Sequence, residues 1–384
     1  MTKAHGGQIR RFTEALLRSV ETIIRRHPTD PQLQQVIPAP LELQSNLELD
    51  RLPHNERIHF CRLDLLLDDD GGFRLLEVNA NCPAAPVYAG WAAREWRSLV
   101  EPAGVQLPAP MEYEHERWMA RWFIDTAVAE TGSSPDVVAL LREEGGVRTE
   151  FNELTTQFAA EGVETLEADP RDIELSPSGM PSVGGRRFNH CYLKLGIPEF
   201  REMRPSLDPF VRAVQTGALL VQNGQSARWI GDNKLCLAVL SDPSLRDRVA
   251  ADDWELVSPH IPWSRNVSMC TAEELDHIRR SPDDFVLKAP LDTRGRGVTI
   301  GRESESEGQW ATDVDRPVQD GWLVQRFCTA TNIENTLKTR ETAPHDLSVC
   351  LVNGEIAGAF IRSSHDLKMN MSFSGRLHPV FFEV

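Results

Sequence analysis

Ile9, Phe12, Leu16, Val20 and Ile23 recur every three or four residues with arginines and glutamates between them, which predicts an amphipathic surface helix ended by Pro28. A Pro- and Leu-rich stretch over 28–53 is expected to pack irregularly. Residues 58–67 and 73–78 read as strands, and the Asp68-Asp69-Asp70-Gly71-Gly72 cluster between them has hairpin-turn chemistry. A helix carrying Trp118, Trp122 and Phe123 is predicted over 111–130. Beyond Pro135, strands at 137–141, 163–167 and 191–195 surround a helix at 149–160, with a turn at Pro177-Ser178-Gly179. That alternation predicts a small parallel α/β lobe. From Ser226 a second α+β region begins, with strands at 285–288, 298–300 and 322–327. It ends in a hairpin, 349–352 and 356–362, joined by Asn353-Gly354. Residues 304–308 and 332–345 are expected as exposed loops.

Strand geometry turns some of these residues into chemistry. Residues i and i+2 point the same way, so Arg62 shares a face with Asp64, and Glu77 with Asn79. Antiparallel pairing would gather an arginine, two carboxylates and an amide. Magnesium takes oxygen ligands, few of them from protein, so Asp64, Glu77 and Asn79 suit it, while Arg62 suits a phosphate. A solvated hairpin with ordinary surface charges would carry the same residues. Further on, Phe285-Val286-Leu287-Lys288 leads into Thr293-Arg294-Gly295-Arg296-Gly297-Val298. Gly295 and Gly297 would let backbone N–H groups approach phosphates, with Lys288 beneath them. The run is neither a Walker A loop nor a dinucleotide fingerprint, and a structural Gly-rich hairpin remains the alternative. The strand of Gln325 and Phe327 could offer a backbone edge to an adenine or be a plain core strand. Arg362, at the end of the Asn-Gly hairpin, is either functional or on the surface.

Composition narrows the field. At 384 residues the chain has room for two or three lobes, and its 41% hydrophobic and 26% charged residues are ordinary for a globular protein. A net charge of −16 argues against nucleic-acid binding. No apolar run approaches the roughly 18 residues of a membrane span. The seven cysteines are scattered without Cys-x-x-Cys pairs, so a reduced, cytoplasmic setting is expected. Zinc-ligand spacing and a Gly-x-Ser-x-Gly elbow are both missing from the sequence.

Taken in order, Lys234, Lys288, the Gly-rich loop, the Gln325 strand and the hairpin ending in Arg362 resemble the ATP-grasp superfamily. In most of its members a magnesium-binding Asp and a Glu-x-Asn pair follow that hairpin. Here the corresponding residues stand at 64, 77 and 79, which resembles the circularly permuted ATP-grasp enzymes and, within them, the glutathionylspermidine synthetase group. Arg62-Leu63-Asp64 is similar to that group's Arg-x-Asp, and Glu77-Val78-Asn79-Ala80-Asn81-Cys82-Pro83 to its Glu-x-Asn-Ala-Asp-Thr-Pro. Asp232-Asn233-Lys234 resembles its Ser-Asn-Lys, and residues 135–200 its pre-ATP-grasp domain. The sequence departs at Asn81-Cys82 and at Arg362-Ser363-Ser364, where the group has Asp-Thr and Arg-Glu-Asp. Asp366-Leu367-Lys368-Met369-Asn370 looks more like ordinary ATP-grasp ligases.

The resemblance implies an α+β and α/β architecture: a circularly permuted ATP-grasp fold with a pre-ATP-grasp lobe. Its expected parts are an N-terminal helical segment (1–55), a metal-carrying portion (56–130), the lobe (131–225) and a nucleotide-binding portion (226–384). It implies ATP on Lys234, Lys288, Gly295, Arg296, Gly297, Gln325 and Phe327, two magnesium ions on Asp64, Glu77 and Asn79, and catalytic roles for Arg62 and Arg362. The implied reaction joins a small-molecule carboxylate to an amine through an acyl phosphate, releasing ADP and phosphate. A kinase on the same fold and a non-catalytic ATP-binding regulator are the alternatives. No nucleic-acid or membrane partner is expected, and a homodimer is a possible assembly. Substrate specificity is expected in 332–345 and around Pro83 and Trp263.

Overall fold

The structure, a computed structural model, describes residues 1–39, 56–68, 71–83, 85–143, 148–292, 295–316, 318, 321–334, 342–367 and 375–383. Most of the Pro- and Leu-rich stretch, Asp69-Asp70, Thr293-Arg294 and Lys368-Met369-Asn370 lie outside the described residues.

The front strands form as Phe60–Leu67 and Phe73–Asn79. Their turn is closed by Asp68 N–H donating to Gly72 O at 2.8 Å and Gly71 N–H donating to Asp68 O at 3.0 Å. The rear hairpin forms as Thr342–Val352 and Glu355–Ser363. At its tip Asn353 (φ 47°) and Gly354 (φ 87°) supply the two left-handed residues that a two-residue hairpin turn requires.

These hairpins, from opposite ends of the chain, belong to one sheet. Phe60–Leu67 pairs antiparallel with Thr342–Val352, in a register running from Phe60 opposite Val352 to Leu65 opposite Leu347. The sheet order is Arg376–Pro379, Glu355–Ser363, Thr342–Val352, Phe60–Leu67, Phe73–Asn79. Asn332–Glu334 adds to the start of Thr342–Val352, with Asn332 opposite Pro344. The expected exposed loop over 332–345 is therefore paired strand at both ends, because its backbone groups find partners in the sheet. Its middle, 335–341, is outside the described residues.

Helix Lys3–Arg26 covers this sheet. Ile9, Phe12, Leu16, Val20 and Ile23 are each no more than 2% exposed, so the apolar stripe read from the sequence is fully buried in the main core. Phe12 meets Phe73 edge-on at 5.0 Å. A helix that the periodicity does not announce, Ala85–Val100, packs against the rear hairpin. It comes so close that a Cβ on Gly358 (φ 122°) would lie 2.8 Å from Ala89 Cβ. The helix expected from 111 starts only at Trp118, after a short 3-10 turn at Glu112–Glu114.

The α/β lobe is a parallel sheet in the order Glu164–Ala168, Val137–Arg142, His190–Lys194, Leu220–Gln222. A third sheet runs Ser264–Asn266, Leu323–Arg326, Phe285–Lys288, Val298–Ile300. Trp263, expected near a specificity loop, sits 5.8 Å edge-on to Phe285 beside that sheet's core. Among the described residues no helix is long and apolar enough to cross a membrane. All seven cysteines are unpaired.

Candidate active site

Strand register gathers the front residues as their spacing requires: Arg62 lies opposite Asn79, and Asp64 opposite Glu77. Asp64 is 2% exposed and sits at the centre. Its carboxylate accepts two bonds from Arg62 (2.7 and 2.8 Å), one from Asn79 Nδ2 (3.2 Å) and one from Ser348 Oγ (3.1 Å). Arg362 Nη2 adds an ionic contact at 3.0 Å. Burial alone would raise its pKa, but Arg362 and Arg62 outweigh burial and hold the carboxyl far below the usual range. Arg362 also forks onto Asp346, whose Oδ1 accepts from Nε at 2.9 Å. Burial raises the Asp346 pKa in spite of Arg362.

A bulge ties this sheet to the nucleotide-side sheet. Asp64 faces Glu77 but Leu65 faces Leu75, so Leu76 is the extra residue. Its carbonyl accepts from Lys288 Nζ at 3.1 Å. Lys288 also donates to Gln325 Oε1 at 2.7 Å, and Gln325 Nε2 donates to Ser264 Oγ at 3.1 Å. Burial pushes Lys288 down to about 8, with Glu77 opposing the shift. Gln325 thus positions the lysine.

In the strand expected to offer a backbone edge to an adenine, the edges are paired over 323–326. Leu323–Arg326 lies between Ser264–Asn266 and Phe285–Lys288, so both of its edges are taken. The Phe327 N–H is spent on Asp284 O at 2.7 Å, and the Arg302 guanidinium covers its ring at 4.2 Å.

Lys234 joins the parts. Its Nζ donates to Asp292 O at 2.7 Å and lies 3.6 Å from Glu77 Oε2. Its N–H donates to Pro290 O at 3.1 Å, so it holds the start of the Gly-rich loop. Asp232 Oδ1 accepts the N–H groups of Ala80 (2.7 Å) and Asn81 (2.9 Å), which fixes the segment after Asn79. Burial raises Asp232 to about 6. In the loop, Gly295 (φ 73°) and Gly297 (φ 63°) adopt left-handed backbone, and Ala289 N–H donates to Gly297 O at 2.7 Å. Arg296 turns outward to Glu199, at 3.3 Å.

The structure therefore clusters Arg62, Asp64, Glu77, Asn79, Arg362, Lys234 and Lys288, with Gly295 and Gly297 in the adjoining loop. Arg296 and Phe327 point elsewhere. Asp346 and Ser348 are additions. Their signal was a polar alternation, Asp346-Leu347-Ser348-Val349, inside an otherwise apolar strand. The Leu76 carbonyl had no sequence signal.

Of the three expected ligands, the Glu77 carboxylate and the Asn79 amide oxygen suit magnesium in kind, whereas the Asp64 carboxylate is filled by Arg62, Arg362, Asn79 and Ser348 and would have to release one of them to bind it. Asp64 is held anionic, and the Glu77 carboxylate has the Lys234 contact as its ion pair. Asn79 donates through Nδ2, so its amide oxygen is left to accept. Among the described residues no three His, Cys, Asp or Glu side chains group to hold a metal by themselves. Protein would supply two carboxylates and an amide, with phosphate and water for the rest.

No family model and no curated protein matches the sequence. A glutathione synthetase-like effector from Globodera pallida, solved in its apo form, superposes on 100% of this chain and 88% of its own, with a TM-score of 0.64 and 12% identity. The chain shares the fold of that effector. A RimK domain ATP-grasp protein from Sphaerobacter thermophilus aligns with 60% of this chain and 92% of its own at 20% identity. Its TM-score of 0.31 is too low to carry any argument. At such identities the likeness fixes the fold and leaves the chemistry to the site.

Proposed function

We propose that this protein is an ATP- and magnesium-dependent carboxylate–amine ligase built on a circularly permuted ATP-grasp frame. The observation that carries the reading is the 3.0 Å contact between Asp64, from the front hairpin, and Arg362, from the rear one. Sheet pairing from Phe60 to Leu65 against Leu347 to Val352 holds that contact in place. In the permuted reading, the metal ligands come from the front of the chain and meet the arginine they serve across this pairing. The four parts expected from the sequence (1–55, 56–130, 131–225 and 226–384) are retained as the working division of the chain.

The residues suit phosphoryl transfer, which chiefly needs positioning and charge neutralisation. Lys234 and Lys288 would hold the polyphosphate, under a loop whose Gly295 and Gly297 give the backbone close approach. Magnesium on Asp64, Glu77 and Asn79 would supply charge neutralisation at the phosphates. Arg62 and Arg362 are fixed against Asp64 and Asp346, so their forks are oriented before substrate arrives. Facing a carboxylate substrate, they would steady the charge moving from the attacking oxygen to the transferred phosphoryl group. An incoming neutral amine would then displace phosphate and leave an amide.

The test is ADP release over paired carboxylates and amines, with mass spectrometry of the products. Ligation is expected to need both substrates and to yield a condensed product. A stable phosphorylated product formed without any amine would replace the ligase with a kinase. ATP binding without ADP release across the whole panel would replace both with a regulator.

A further inference from the structure

The ladder of the front hairpin ends at the pair Arg62–Asn79. In an antiparallel ladder the N–H and C=O of one residue point to the same side, and successive residues alternate. His59 O accepts Asn353 N–H at 2.7 Å, which turns His59 to the rear hairpin and Phe60 to the other side. Two residues beyond the Arg62–Asn79 pair, the partner due to Phe60 is Asn81. The Asn81 N–H is given instead to Asp232 at 2.9 Å, so the chain leaves the sheet directly after Asn79.

Asn223 fills the place that Asn81 leaves. It follows strand Leu220–Gln222 of the parallel lobe and is fully buried. Its Oδ1 accepts Phe60 N–H at 3.0 Å, and its Nδ2 donates to Phe60 O at 2.6 Å. That two-bond exchange is the one a paired strand residue makes. The other Nδ2 hydrogen goes to Ala80 O at 2.6 Å. Flipping the amide would set its oxygen against two carbonyls, so only one orientation fits. Ala80 is thereby gripped at both polar groups, its N–H by Asp232 at 2.7 Å and its C=O by Asn223. With the ladder on one side and this grip on the other, the backbone of Asn79 is fixed. So is its amide, which donates to Asp64 at 3.2 Å and to Arg62 O at 3.4 Å.

We propose that Asn223 is a positioning residue for the candidate metal site, resting on the reading above that Asn79 ligates the metal. Its side-chain amide stands in for a strand residue and aims the Asn79 amide oxygen. Asn223 itself acts only through Phe60 and Ala80, from the end of a strand in another sheet. Removing a group that orients a ligand in this way typically costs about 10–100-fold in metal affinity.

Mn2+ takes the same oxygen ligands, and the electron paramagnetic resonance signal of the free ion measures its binding to the full chain with ADP present. Asn223→Ala should weaken Mn2+ by about ten-fold or more. In an Asn79→Ala background the same substitution should change affinity by less than about two-fold, because the group it aims is gone. Asn266→Ala is the control for a purely structural loss. That buried amide also spans backbone groups, donating to Val36 O at 2.9 Å and accepting Ser268 N–H at 3.0 Å. It should lower the melting temperature and leave Mn2+ affinity unchanged. Should Asn223→Ala not fold, Asn223→Asp carries the same test, since it keeps the shape and loses both donations. Affinity unmoved by the Asn223 variants, equal losses in both backgrounds, or a like loss in Asn266→Ala overturns the positioning role. Those outcomes leave the metal reading standing, whereas wild type that binds no Mn2+ up to about 1 mM sinks the metal reading and the positioning role with it.

Discussion

Replacing Glu77 with glutamine removes one charge and almost no volume from the centre of the site. The side chain is 26% exposed, and its ionic partner is Lys234 at 3.6 Å. A contact of that length and exposure contributes about 0–1 kcal/mol, so Glu77→Gln should unfold within about 1 kcal/mol of wild type. Asp64 is the contrast. It is 2% exposed and anchors Arg62 and Arg362, so Asp64→Ala leaves the half-buried Arg62 without its carboxylate and Arg362 on Asp346 alone, and should cost about 3–5 kcal/mol. Lost turnover in that variant alone would confuse a damaged fold with a missing ligand. Glu77→Gln separates the two. If Glu77 holds the metal, magnesium-dependent ADP release should fall by about 10²–10³ while the urea midpoint barely moves. Turnover within about three-fold of wild type would refute the metal assignment and the reasoning behind it.

Lys288, pushed down to about 8, should be largely neutral at pH 9 in the free protein. Phosphates favour its charged form, so ATP binding there should take up close to one proton, and affinity should fall as pH rises above 8. Calorimetry in buffers of different ionisation heat measures the uptake, and Lys288→Met should abolish it. Gly297→Ala puts a Cβ 2.5 Å from Ala289 Cβ at φ 63°, and should cost about 1–3 kcal/mol and raise KM for ATP more than it lowers kcat. Asp346→Asn frees one arm of Arg362 and should lower kcat about 10–100-fold, with ATP affinity changed little. His190, pushed down to about 4 by burial, takes its proton in the unfolded chain first. Its contribution is present above pH 6.5 and lost on acidification towards 4, at most about 3 kcal/mol, read as the difference in urea midpoints between wild type and His190→Leu.

The strands at 137–141 and 285–288 and the helix at 149–160 were legible because periodicity and turn residues act within a few positions. The same holds for Asn353-Gly354, whose left-handed backbone is a property of those two residues. Arg62 sharing a face with Asp64, and Glu77 with Asn79, followed from the pleat alone. Helix Ala85–Val100 escaped because its apolar residues follow no clean stripe, with Trp91, Trp96 and Leu99 turned to solvent.

Other features depended on pairing between distant segments. That Asp64 meets Ser348 and Arg362 depends on hydrogen bonds between strands at opposite ends of the chain, which no local pattern encodes. The Leu76 carbonyl meets Lys288 beside a one-residue register slip in the terminal strand of its sheet, an arrangement set by pairing and sheet order. The edges of the Gln325 strand are closed because it lies between two others, a matter of sheet order and not of its own residues. Alone, the sequence determined which neighbours would share a face, and it named Arg62, Asp64, Glu77 and Asn79 but not Asp346 or Ser348. Tertiary structure decided which of them touch, since backbone pairing and burial set contact across the length of the chain.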